Sequence, residues 1–275
     1  MCDSPFYILP KAAFEKIPVP CGRCPPCKLR RVNSWVFRLL QEEKISNTAH
    51  FVTLTYDTRT VPISENGFLT LRKRDFQLFM KRLRKLVPDT IKYYAVGEYG
   101  TNKSRPHYHA IIFNVPDPAH FHTAWQLGYV HIGQVSTNSI AYTMKYIDKL
   151  SYKKLHARDD REPEFPLMSK SLGANYLSEA VINYHQADLS RLYVTKEGGH
   201  KIALPRYYRQ KIYTDVQLKQ QLSIIKAAAD EKELLQVHEF QSLNYPSNYT
   251  YEDWKNSKAF GRYHSFYDQQ LPREC

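Results

Sequence analysis

No stretch of the chain approaches the roughly 18 consecutive apolar residues that a membrane-crossing helix needs. The opening MCDSPFYILPKAAFEKIPVP has no continuous apolar run behind a basic start. Neither a membrane span nor a secretory leader is expected. No G-x-x-x-x-G-K-[ST] run occurs, so a fused phosphate-cradling helicase is not expected either. Acidic residues are in short supply: 27 Asp and Glu face 39 Lys and Arg, a formal charge of +12, which points to a polyanionic partner. Tryptophan is scarce at 3 residues, whereas tyrosine reaches 21 in a chain that is 43% apolar, enough to bury a core and to argue against wholesale disorder. The 5 cysteines are an odd number, and Cys21, Cys24 and Cys27 crowd too closely for a disulfide framework of the secreted kind, which implies a reducing cytoplasm.

What is present divides the chain in three. Residues 1–30 are rich in Cys and Pro, and the run CGRCPPCKLRR leads into Trp35, Val36, Leu39 and Leu40 at helical spacing. Residues 31–150 alternate element types. FVTLTYD at 51–57 reads as a buried strand, and residues 71–87 as a basic amphipathic helix stopped by Pro88. IKYYAVGEYG at 91–100 and HYHAIIFNV at 107–115 read as an antiparallel hairpin, followed by a short helix near 120–127, a strand at 129–135 and a helix at 139–150. This order predicts an α+β fold, a central mostly antiparallel sheet with flanking helices laid on one face. Residues 151–275 form a partly helical C-terminal extension, with a helix at about 215–237 and no clear periodicity in the last 35 positions.

Two constellations could carry chemistry. His107 and His109 are two apart in a strand, so both rings leave the same face, a geometry suited to one divalent cation; Glu98 on the neighbouring strand is the candidate oxygen ligand. Tyr142 and Tyr146 lie one turn apart on the 139–150 helix, with Lys145 and Lys149 each three residues on, and Ile140, Met144 and Ile147 fall on the opposite face. A phenol is a weak nucleophile near neutral pH, but a cation drawing charge from a phosphate assists its attack and yields a phosphotyrosine ester. Packing tyrosines would explain the second pattern equally well. Cys2, Cys21, Cys24 and Cys27 suit a four-thiolate structural Zn2+ site, free thiols or redox chemistry. An iron–sulfur run would seek a further Cys where Arg30 and Arg31 stand. Arg72, Lys73, Arg74, Lys81, Arg82 and Lys85 give the 71–87 helix a surface fit for DNA phosphates. Tyr93, Tyr94, Tyr99, Tyr207 and Tyr208 are candidates to stack unpaired bases or to pack in the core.

The order FVTLTYD, HYHAIIF, YTMKYIDK resembles the three motifs of the HUH superfamily of rolling-circle replication initiators, and the tandem Tyr-x-x-Lys resembles its two-tyrosine branch. The opening MCDSP, the run PCGRCPPC and the later SKSLGANYL are similar to the initiators of the gokushovirus group of microviruses. The resemblance implies an HUH endonuclease fold and a metal-dependent endonuclease and strand transferase with a Mg2+ or Mn2+ cofactor at His107, His109 and Glu98. Tyr142 and Tyr146 would be the nucleophiles, assisted by Lys145 and Lys149. The substrate would be single-stranded DNA at a viral origin, left with a 3′-OH primer and a 5′ phosphotyrosine, with host helicase and polymerase as partners in the cytoplasm of an infected bacterium. Two other functions fit parts of the sequence: a metal-dependent phosphodiesterase using water as nucleophile, and a noncatalytic, zinc-stabilised nucleic-acid-binding protein.

Overall fold

The structure, a computed structural model, describes residues 2–9, 16–100, 103–135, 140, 157–196 and 198–268. They fall into two compact units, residues 32–178 and residues 1–31 with 179–275. In chain order the elements are β1 (Phe6–Ile8), β2 (Ile17–Val19), α1 (Pro25–Glu43), β3 (Ala49–Tyr56), α2 (Lys73–Leu86), β4 (Lys92–Tyr99), β5 (Pro106–Phe113), α3 (Ala119–Ala124), β6 (Gly128–Gln134) and β7 (Phe165–Met168). There follow α4 (Glu179–Gln186), β8 (Tyr193–Thr195), β9 (Lys201–Ala203), α5 (Arg206–Ile212), α6 (Asp215–Gln241) and α7 (Tyr251–Asp268). No helix among the described residues is long and apolar enough to cross a membrane.

The unit 32–178 is built on a five-stranded antiparallel sheet in the order β6-β3-β5-β4-β7. Its central strand β5 is buried along nearly its whole length, which is why PHYHAIIF reads as a continuous apolar run more than as a simple alternation. Parity sorts the side chains all the same. Tyr108, Ala110 and Ile112 leave one face with Val52, Leu54 and Tyr56, and α2 covers them with Phe76, Phe79, Met80 and Leu83, joined by Phe121 and Ala124 of α3. Burying each of those four α2 side chains is worth about 1.5–3 kcal/mol relative to exposure. Ile111 and Phe113 leave the other face with Tyr94 and Val96, and there Val36 and Leu39 of α1, Ile140 and Leu172 pack on them.

This overturns the expectation of helices on one face only. β5 offers apolar side chains to both sides, and a sheet buried on both sides needs a cover for each. The hairpin of β4 and β5 is present, with Glu98 opposite His107 and Ala95 opposite Ala110. The edge strand β7 comes from 165–168, within the stretch assigned on sequence to the C-terminal extension; four residues containing Pro166 give too short a pattern to read.

In the other unit, α6 starts at a reciprocal cap in which Gln217 N–H donates to Thr214 Oγ1 and Thr214 N–H donates to Gln217 Oε1. Helix α7, absent from the sequence reading, begins with the same device: Asp253 N–H donates to Thr250 Oγ1 and Thr250 N–H donates to Asp253 Oδ2. Thr250-x-x-Asp253 was the signal that could have marked it.

Candidate metal centre

Register fixes the site. Glu98 faces His107 across β4 and β5, Thr53 faces His109 across β3 and β5, and all four side chains share the face on which α1 and Ile140 pack. His107 Nε2–H donates to Glu98 Oε1 at 2.6 Å, and His109 Nε2 lies 3.1 Å from the same oxygen. Three ligand-type atoms, one from each residue, thus lie within 4.8 Å of one another. Glu98 and His109 are buried, and His107 is half-buried at the rim.

Each imidazole is held from behind. His107 Nδ1–H donates to the Arg105 carbonyl at 3.1 Å, and His109 Nδ1 lies 2.9 Å from Thr53 Oγ1. Phe51 stacks on the His109 ring, centroids 5.5 Å apart and planes 12° from parallel. Fixing Nδ1 in this way leaves Nε2 of both rings aimed at one point, the arrangement by which outer partners orient histidine ligands. Thr53 and Phe51 were missed in the sequence reading. Both stand two residues apart in the strand opposite the histidines, a relation that appears only once the pairing register is known.

Electrostatics follow the geometry. Burial would push the Glu98 carboxyl up, but the hydrogen bonds and charge of the two imidazoles outweigh it and hold the group below the ordinary carboxylate value. Burial likewise favours neutral His107, and Glu98 outweighs it, so the ring's pKa rises. With a carbonyl at Nδ1 and a carboxylate at Nε2, the ring faces two acceptors and carries both protons. The proton on Nε2 stands where a cation would enter. Glu98 Oε2 is buried with no hydrogen-bond partner among the described residues, an orphan that a cation would satisfy. Two imidazoles and a carboxylate are a fitting donor set for a divalent metal.

Tyr108, between the two histidines, points the other way. Its fully buried hydroxyl lies 2.7 Å from Tyr56 Oη and 2.8 Å from the Arg72 carbonyl, anchoring β5 in the opposite core. Gly97, its cross-strand partner, makes room for the ring: a Cβ there would sit 3.2 Å from Tyr108 Cε1 and 3.1 Å from Phe165 Cζ.

The remaining residues singled out on sequence fall elsewhere. Tyr142, Lys145, Tyr146 and Lys149, and all of the 139–150 helix except Ile140, lie outside the described residues; Ile140 is fully buried on the histidine-bearing face. Arg72, Lys73, Arg74, Lys81 and Lys85 are exposed on or beside α2, which covers the opposite face of the sheet, so they are not brought to the metal centre. Arg82 Nε–H donates to the Ala124 carbonyl at 2.7 Å and ties α2 to α3. Tyr94 and Tyr208 are fully buried, Tyr93 packs on Phe76, the Tyr99 hydroxyl donates to the Glu162 carbonyl, and Tyr207 lies edge-on to Tyr208. Cys2, Cys21, Cys24 and Cys27 come together in the unit that holds residues 1–31.

An α+β unit carrying a carboxylate and two histidines on one face of an antiparallel sheet defines a class, and the comparisons define the family. Residues 49–151 match the family model of the ORF2 type of replication-associated protein. The chain is 31% identical over 235 residues to the replication-associated protein ORF2 of Spiroplasma virus 4, covering 76% of this chain and 72% of that protein. It is 29% identical over 215 residues to the replication-associated protein VP4 of Bdellovibrio phage phiMH2K, covering 69% of this chain and 66% of that protein. With the replication-associated protein ORF4 of Chlamydia phage 1 it shares 23% identity over 259 residues, or 82% of this chain and 61% of that one. The chain belongs to this family of phage replication-associated proteins. No solved structure matches it.

Proposed function

We propose that the chain is the replication initiator of a single-stranded DNA phage, and that it acts as a metal-dependent, sequence-specific endonuclease and strand transferase of the HUH type. The observation that carries this reading is the convergence of Glu98 Oε1 with Nε2 of His107 and His109, beside a buried carboxylate oxygen with no partner of its own. These three residues would hold Mg2+ or Mn2+. Bound there, the ion supplies charge withdrawal from the scissile phosphate.

The chain's own residues do the rest. Arg105 and Thr53 hold the two rings so that Nε2 stays aimed at the site. The phenol oxygen of Tyr142 or Tyr146 attacks phosphorus and loses its proton, the P–O3′ bond breaks, and O3′ takes up a proton to become the primer end. The 5′ phosphate stays esterified to tyrosine, and a later attack by a 3′-OH reverses the step and closes the strand. Two tyrosines allow one to hold a DNA end while the other cuts. Lys145 and Lys149 offset phosphate charge. Arg72, Lys73, Arg74, Lys81 and Lys85 contribute sequence-independent phosphate contacts away from the reacting centre, with host helicase and polymerase acting after the nick in the infected cell.

The test is incubation with single-stranded origin DNA and Mg2+ or Mn2+, followed by denaturing electrophoresis. The wild type should give a band shifted by covalent DNA. His107→Ala with His109→Ala should abolish cleavage and retain DNA binding that weakens steeply with salt. Cleavage by the double variant at the wild-type rate would overturn the site. Cleavage without a covalent band would favour water as nucleophile, and binding without cleavage a noncatalytic role.

A further inference from the structure

The pairing of β1 with β2, Phe6 opposite Val19 and Ile8 opposite Ile17, turns the chain back so that Cys2 meets Cys21. Cys21 N–H donates to Cys2 Sγ at 3.2 Å. The segment Cys21-Gly22-Arg23-Cys24 then folds over its own first sulfur: the N–H groups of Arg23 and Cys24 both donate to Cys21 Sγ, at 3.4 and 3.3 Å. Gly22 takes φ +72° in this turn, a conformation that disfavours any other side chain. Asp3 N–H donates to Cys24 Sγ at 3.4 Å, and Cys27 follows, buried, in the first turn of α1.

The four sulfurs lie within 4.8 Å of one another, and Sγ of Cys2 and Cys24 are 3.7 Å apart. Thiolates about 2.3 Å from a tetrahedral zinc are separated by about 3.8 Å along each edge. A disulfide needs about 2.05 Å and joins sulfurs in pairs, whereas these four form one group in which all are free. A cluster of several irons needs thiolates spread more widely than a single ion does. A thiol sulfur accepts hydrogen bonds weakly, so four backbone N–H groups directed at three sulfurs suit thiolates better than thiols.

Charge also fits. Four thiolates around Zn2+ leave two negative charges, and the N-terminal end of the 19-residue helix α1 and the Arg31 guanidinium, which donates to the Gly22 carbonyl at 3.3 Å, lie beside them. We propose that Cys2, Cys21, Cys24 and Cys27 bind one zinc ion as a closed, structural four-thiolate site that clips the N-terminus to the first turn of α1. Four protein ligands leave no position for water, so the site serves folding and not chemistry. The same segment receives α7: Arg262 Nη2 donates to Asp3 Oδ1 at 2.5 Å, and the Lys28 ammonium lies 5.1 Å from the Tyr267 ring centroid. Loss of the ion would therefore loosen α7 as well.

The experiment is metal analysis of the full chain purified reduced and without chelator, alongside its Co2+-substituted form. One zinc per chain is expected, with intense thiolate-to-cobalt charge transfer and tetrahedral d–d bands after exchange. Cys24→Ser should lose most of the zinc and those bands, while the His107→Ala, His109→Ala double variant should keep both, which separates this site from the metal centre of the proposed reaction. If Cys24→Ser fails to fold, the wild type alone decides: four of the five cysteines should resist alkylation until a chelator is added, then react. Iron in place of zinc, a disulfide among the four, or five thiols reactive from the outset would overturn the proposal.

Discussion

Tyr108 separates the part of HYH that holds the sheet from the part that meets a metal. Its ring is fully buried against Tyr56, Phe76 and Trp125, with centroids 5.6 to 5.9 Å away. Its hydroxyl serves three contacts, with Tyr56 Oη, the Arg72 carbonyl and the Arg72 N–H. Tyr56 has one proton and gives it to Asp75 Oδ2 at 2.9 Å, so Tyr108 gives its own to the Arg72 carbonyl or to the Tyr56 oxygen. Tyr108→Phe keeps the ring and loses this polar knot, at a cost of about 1–2 kcal/mol. Tyr108→Ala adds a cavity the size of an aromatic side chain, about 3–5 kcal/mol more. The second loss approaches the whole stability of a typical domain, about 5–15 kcal/mol. Urea unfolding followed by the fluorescence of Trp125, whose ring lies 5.8 Å from that of Tyr108, reads the difference locally. Because the hydroxyl faces away from Glu98, Tyr108→Phe should still bind metal and cleave DNA close to the wild-type rate. A loss below about 2 kcal/mol for Tyr108→Ala, or an equal loss for both variants, would refute the anchoring role.

Three further substitutions probe the same frame. Thr53→Val keeps the volume but removes the partner of His109 Nδ1, and should weaken Mn2+ binding about 10–100-fold in an electron paramagnetic resonance titration with little change in stability; an unchanged affinity would contradict the orienting role. Gly97→Ala places a Cβ 3.1 to 3.2 Å from Phe165, Leu71 and Tyr108 and should cost about 1–3 kcal/mol in urea unfolding, whereas a neutral effect would show that these neighbours yield freely. His185 is fully buried with Nδ1–H donating to the Arg191 carbonyl, and burial holds its pKa below the usual 6.5. The unfolded ring therefore binds a proton first on acidification. Stability is full above 6.5 and falls as pH drops from there toward the folded value, a slope that His185→Gln should flatten in urea midpoints followed by Trp254 fluorescence; parallel pH profiles would contradict it.

The sheet strands were legible because β3, β4, β5 and β6 are each seven or eight residues of β-branched and aromatic sequence bounded by turns. Helix α2 was legible because Phe76, Phe79, Met80 and Leu83 recur at helical spacing. The cover on the second face was not, since β5 offers apolar side chains to both sides and a period of two cannot say which side is open. Glu98 could be named from proximity in the chain, but its pairing with His107 needed the register. Thr53 looked like an ordinary strand residue until that register set it beside His109. The surplus of tyrosine resolves largely into packing, with Tyr56, Tyr94, Tyr108 and Tyr208 all fully buried. Basic residues on α2 were read correctly as a charged surface, yet no periodicity states on which face of the sheet a helix lies.

The measurement that bears most directly on the proposed chemistry is the location of the covalent bond to DNA. Wild type, Tyr142→Phe, Tyr146→Phe and the double variant would be incubated with single-stranded origin DNA and Mn2+, digested with nuclease and protease, and the nucleotide-bearing peptide sequenced by mass spectrometry. The account predicts a nucleotide on Tyr142 or Tyr146 in the wild type, attachment through the remaining tyrosine in each single variant, and none in the double variant. A nucleotide on any other residue, or undiminished attachment in the double variant, would contradict it.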